Sequence, residues 1–106
     1  MAWLYLLIAA LFEVGWPVGF KIAGISAVKI WWIIFSTVTM TLSGIFLYLA
    51  QKEIPIGTAY AIWSGTGTVF TFAVGILFFN DSVEILRLLG AVFIITGVIL
   101  LKLSST

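Results

Sequence analysis

The chain of 106 residues has no cysteine and no histidine. Disulfides, thiol nucleophiles and the commonest transition-metal ligands are therefore excluded together. Charge is nearly as scarce, at 8% of residues, against roughly 25% in an ordinary soluble domain. The net charge of +1 is too small for the basic patch that nucleic acid calls for. No nucleic-acid partner, no metal and no cofactor is expected. What fills the chain is apolar: 63% of residues are hydrophobic, and the mean hydropathy is +1.29.

Four apolar runs occupy almost the whole length. A helix rises about 1.5 Å per residue and the hydrocarbon core is about 30 Å thick, so roughly 20 residues span it. The expected fold is an all-α membrane protein, one domain over 1–106. Its four transmembrane helices are placed at about 2–21, 30–50, 57–79 and 83–102. The first run is longer than a signal-peptide h-region and carries no evident cleavage site, so it reads as a retained span.

Within span one, Glu13 is the only charge over 3–20, and it falls close to the midplane. An ionised carboxylate there is expensive, and such groups mark ion pathways, proton relays or cation sites. The alternative is a structural carboxyl bonded to a neighbouring helix, but no Lys, Arg or His lies at comparable depth to pair with it. Helical spacing puts Ala10, Trp16 and Pro17 on the same face as Glu13. Gly15 and Gly19 form a small-xxx-small pair that permits close helix approach. Pro17 has no N–H for the carbonyl four residues back, which is that of Glu13 itself. Either that carbonyl becomes available to water or substrate, or the proline merely closes the helix near Lys21, whose ammonium can snorkel to the interface.

Span two opens on Trp31 and Trp32, an interfacial anchor, and is rich in hydroxyls: Ser36, Thr37, Thr39, Thr41 and Ser43. The default for each is a bond back to the i−4 carbonyl. Ser43 and Tyr48 are candidates for more, though spacing does not single them out. In span three, Tyr60, Trp63 and Gly67 follow one another at three and four residues on one face. A Tyr and a Trp in mid-membrane, each with a donor to satisfy, point to a polar site. Gly65 and Gly67 permit close packing or a bend. Asp81 or Ser82 is a natural cap for span four, which carries Glu84 and Arg87 in its first turn. Gly90 and Gly97 are seven apart, on one face suited to dimerisation. Lys52 and Lys102 fall on one side of the membrane and Lys21, Lys29 and Arg87 on the other. That balance barely fixes orientation and fits an antiparallel dimer. There is no convincing internal repeat, so inverted symmetry requires two copies.

A lone carboxylate among aromatics, with no fixed counter-ion, is the chemistry of a cation site. Removal from water disfavours a bare carboxylate, which then holds either a proton or a cation. Aromatic faces add attraction for a desolvated organic cation, on the order of 2 kcal/mol. Mutually exclusive occupancy couples the two fluxes in opposite directions, which is antiport. Four short helices scarcely enclose such a path, so a dimer bringing two Glu13 carboxylates together is expected. Three other classes compete. A structural subunit would tolerate Glu13→Gln, and a channel would conduct without obligatory exchange. An intramembrane enzyme would need a nucleophile or second acid that the sequence does not supply.

Glu13-Val14-Gly15-Trp16 with Lys21, then Pro55-Ile56-Gly57-Thr58-Ala59-Tyr60-Ala61-Ile62-Trp63-Ser64-Gly65-Thr66-Gly67, then Gly90 and Gly97 resemble the small multidrug resistance family over the full chain. The resemblance implies an antiparallel, dual-topology homodimer that exports organic cations against protons across a prokaryotic cytoplasmic (inner) membrane, as a multi-pass protein in the lipid bilayer. It implies that Glu13 is the shared proton and substrate carboxylate, that Tyr60 and Trp63 line the site, and that Gly90 and Gly97 form the dimer contact. Trp16, Ser43 and the ending Leu101-Lys102-Leu103-Ser104 resemble the guanidinium-exporter branch. There the pattern implies a planar guanidinium on paired carboxylates, with Trp16 and Ser43 bonding to those carboxylates. Several positions depart from that branch. Ala10 stands where it has Gly, and Pro17 where it has a small residue. Ser64 after Trp63 is closer to polyaromatic-cation exporters, and Gly44 replaces a bulky residue at a possible portal. Guanidinium or a substituted guanidinium is the favoured substrate. A promiscuous exporter of quaternary ammonium and polyaromatic cations is the alternative.

Overall fold

A computed structural model describes residues 1–104; Ser105 and Thr106, which close the domain expected over 1–106, lie outside the described residues. Four helices follow in order: α1 (Ala2–Ile25), α2 (Lys29–Gln51), α3 (Ile56–Phe78) and α4 (Ile85–Ser104). Each is long and apolar enough to cross a membrane. In hydrocarbon every backbone N–H and C=O must be satisfied inside the segment, and a helix does this for an unbroken apolar run.

The helix ends differ from expectation in three places. α1 runs through Pro17 and past Lys21 to Ile25, so the first link shrinks to 26–28. Its last turn holds Ala23, buried against the bundle, and packing there extends the helix beyond its charged residue. α4 begins at Ile85 rather than near 83. Asp81 does not cap it. Asn80 takes a left-handed φ of 62°, and the N–H groups of Phe79 and Asp81 both donate to the Gly75 carbonyl, at 3.1 and 3.0 Å. This is a helix C-terminus closed by an Asn in the left-handed region. The Asp81 carboxylate is thereby folded back against Gly75 of α3. Glu84 opens α4 instead, its carbonyl accepting from the Leu88 N–H at 3.0 Å.

α1 packs most extensively on α2, and the seam is built from small residues. A side chain at Gly15 would meet Thr39, and one at Gly19 would meet Ser36 and Phe35. The two backbones can approach because neither glycine carries a Cβ. Ser36 Oγ donates across this seam to the Trp16 carbonyl at 2.9 Å. By contrast Thr37 and Thr41 bond back to their own i−4 carbonyls, as expected of membrane hydroxyls. Gly65 is a packing point, not a bend: its Cα faces Val98 and Ile94 of α4 within an unbroken α3.

The buried core lies at one end of the bundle, where Ala2, Leu6, Ala50, Ile54, Ala59 and Ile62 meet, with Trp63 packed against them. Glu13 stands where that core stops. Clefts lie between α1 and α3 on both sides of it. α4 is an outlier, with none of its residues buried.

Candidate functional site

Glu13 projects from the middle of α1 towards α2 and α3 and is half-buried. One turn later on the same face, Trp16 turns its indole back, and Nε1–H donates to Glu13 Oε1 at 2.7 Å. That is a short, charge-assisted contact when the carboxyl is ionised. α2 supplies Ser43, fully buried. Its Oγ lies 3.5 Å from Oε1, too long for a bond of any strength. The hydroxyl proton goes instead to the Ala9 carbonyl at 2.7 Å. α3 completes the set: Trp63 Nε1–H donates to Ser43 Oγ at 2.8 Å. A hydroxyl has one donor and two acceptor lone pairs, so Ser43 ties three helices together beside the carboxyl.

Gly67 forms the opposite wall. A Cβ there would come within 2.7 Å of Glu13 Cγ, so the α3 backbone lies directly on the Glu13 side chain. Among the described residues no donor reaches Oε2, and no buried side-chain oxygen is left unpaired. Oε2 therefore faces open space. Glu13 also lines a cleft of about 370 Å³. Glu13, Trp16, Pro17 and Gly67 line its inner part, and Thr71, Phe72, Asp81 and Arg87 its outer part. Arg87 lies over the Phe72 ring, its guanidinium 5.1 Å from the centroid.

The singled-out residues thus fall into two groups. Trp16, Ser43, Trp63 and Gly67 gather around Glu13, with Ala10 buried behind them and Pro17 on the cleft wall. The others do not reach Glu13 within one chain. Tyr60 is 57% exposed, its ring 5.3 Å from that of Trp63, and Ser64 bonds back to the Tyr60 carbonyl at 2.8 Å. Gly44, Gly90 and Gly97 have nothing within 4 Å of where a side chain would stand. Sequence reasoning missed Thr71, Phe72, Asp81 and Arg87 as cleft residues. Thr71 was within reach, because it continues the Tyr60, Trp63, Gly67 face by one more turn. Asp81 and Arg87 were not, since the folding-back of the 79–84 link brings them to the cleft.

The family model described as Small Multidrug Resistance protein matches residues 1–95. A guanidinium exporter of Yersinia pseudotuberculosis is 42% identical over 106 residues, covering 99% of this chain and 100% of the relative. One from Salmonella typhimurium is 43% identical, covering 99% of each chain. One from Escherichia coli K12 is 39% identical, again covering 99% of each. With four membrane-spanning helices and a family match over nearly its whole length, the chain is a multi-pass membrane protein that belongs to the small multidrug resistance family of transporters.

Proposed function

We propose that this chain is a proton-coupled exporter of small organic cations, guanidinium first among them, working as an antiparallel pair in a bacterial cytoplasmic membrane. The observation that carries the reading is the state of Glu13: Oε1 is bonded to the Trp16 indole, Oε2 has no partner among the described residues, and the residue lines a cleft. A planar fork of N–H donors fits a carboxylate bidentately, and Trp16 holds the carboxylate plane for it. Protonation of the same oxygens removes the acceptors, so a proton and a cation exclude each other at Glu13. Exchange follows if only a loaded carboxyl changes sides. Because relatives named guanidinium exporters align over essentially the whole chain, guanidinium is the first substrate to test. The cleft volume of about 370 Å³ supports a second reading. It lies within the range that holds drug-sized ligands, which would suit quaternary ammonium or polyaromatic cations.

The test is substrate-evoked charge movement in proteoliposomes, guanidinium against tetrapropylammonium, in wild type and Glu13→Gln. Currents with guanidinium alone, abolished in Glu13→Gln, are the expected result. Currents with both cations would move the assignment to the promiscuous reading. Undiminished currents in a folded Glu13→Gln protein would overturn the central role of the carboxyl.

A further inference from the structure

Pro17 stands inside α1, and the helix continues through it for two more turns. A proline in a helix interior supplies no N–H to the carbonyl four residues earlier, and its ring tilts that carbonyl outward. Here that carbonyl belongs to Glu13. Helix carbonyls point toward the helix C-terminus, which for α1 is the Lys21 end. The cleft runs the same way: Glu13 and Trp16 line its inner part, and Asp81 and Arg87, from the link and first turn after α3, line its mouth. Pro17 lines this cleft and also the adjoining one shared with Lys21 and Thr71. Helix geometry puts the freed carbonyl beside Pro17, on the stretch of α1 that lines the cleft with the Glu13 carboxylate.

We propose that the backbone carbonyl oxygen of Glu13, released by Pro17, is a second acceptor for the substrate, and that it favours cations carrying N–H donors. The inference rests on the transport reading above and adds a specificity element to the same site. A carboxylate alone attracts any cation, by charge. A neutral carbonyl beside it adds little for a tetraalkylammonium, which has no proton to donate. For a guanidinium it supplies a further acceptor, to which a charged donor bonds more strongly than a neutral one would. With Oε1 held by Trp16, the N–H groups not aimed at the carboxylate have this oxygen to meet. Pro17 is thus a positioning residue, acting through the backbone of Glu13.

Pro17→Ala and Pro17→Gly both restore the N–H, but Ala is the best helix former and Gly among the poorest, so agreement between them isolates the hydrogen bond from helix stiffness. In proteoliposomes, KM for guanidinium is expected to rise on the order of tenfold in both variants, with the maximal rate within about twofold of wild type. Inhibition by tetrapropylammonium is expected to be unchanged. An unchanged KM for guanidinium, or a rise in one variant only, would overturn the inference while leaving guanidinium transport intact. A parallel weakening of tetrapropylammonium inhibition would overturn it too. Wild-type protein that moves no guanidinium would remove the transport reading and the inference with it.

Discussion

Ser43 has one proton and two neighbours that want it. The Ala9 carbonyl takes it at 2.7 Å, while Glu13 Oε1 waits at 3.5 Å. The same oxygen accepts from the Trp63 indole at 2.8 Å. Replacing Ser43 by Ala removes two bonds in a fully buried position and strands the Trp63 N–H. An orphaned buried donor costs about 1–3 kcal/mol, which is the ceiling for the half-buried Trp63. Ser43→Ala is therefore expected to lower the unfolding midpoint in detergent by that order and to weaken guanidinium binding, because Trp63 loses its anchor beside the carboxyl. Equal stability and equal KM would mean that water or a rotated indole fully replaces the hydroxyl. Sequence spacing left Ser43 among five hydroxyls of one helix, and the reason is physical. Thr37 and Thr41 bond back to their own carbonyls, whereas Ser36 and Ser43 face α1 and bond across to it, and only the helix pairing decides which face that is.

At the scale of the helices, glycine placement carries the design. Gly15 and Gly19 let α1 meet α2, Gly65 lets α3 meet α4, and Gly67 lets α3 meet Glu13 itself. A methyl at Gly67 would stand 2.7 Å from Glu13 Cγ, closer than any carbon contact tolerates. Gly67→Ala must displace either the Glu13 side chain or the α3 backbone against it, and transport is expected to fall at least tenfold. Stability should fall by about 1–3 kcal/mol, the usual range for overpacking. Gly44→Ala is the control, since nothing lies within 4 Å of that position. A similar loss of transport in both would show that the Gly67 contact is not special. The pairing of small residues on α1 and the Tyr60, Trp63, Gly67 face were legible from spacing alone, because helix periodicity is fixed. Two features were not. The extension of α1 to Ile25 depends on packing that a hydropathy run cannot register. Asp81 fits a cap rule for α4 and equally a closing turn for α3; the left-handed Asn80 decides for the latter.

The whole subunit is a slab, 48 × 34 × 16 Å across its Cα atoms, and a helix with side chains is already about 10–12 Å thick. So thin a body cannot wall off a cation path by itself, and the cleft at Glu13 stays open on one side. α4 buries none of its residues, and nothing lies within 4 Å of where a Cβ at Gly90 or Gly97 would stand. Lipid alone gives no reason to keep small residues on an exposed face, whereas a helix partner does, because close backbone approach is what drives association in hydrocarbon. Near-balanced charges at the two ends, Lys52 and Lys102 against Lys21, Lys29 and Arg87, fit the proposed antiparallel pair. Gly97→Leu tests this at the right level. Within the subunit nothing lies within 4 Å of where a Cβ at Gly97 would stand, and replacing Gly by Leu raises helix propensity, so the monomer is expected to keep its helix content. In the proposed pair it would hold α4 apart from its partner. The dimer fraction, read by cross-linking in membranes, is expected to fall several-fold, and guanidinium transport to fall in proportion. A full dimer yield from Gly97→Leu would put the contact on another face, and transport by an isolated subunit would remove the need for a pair.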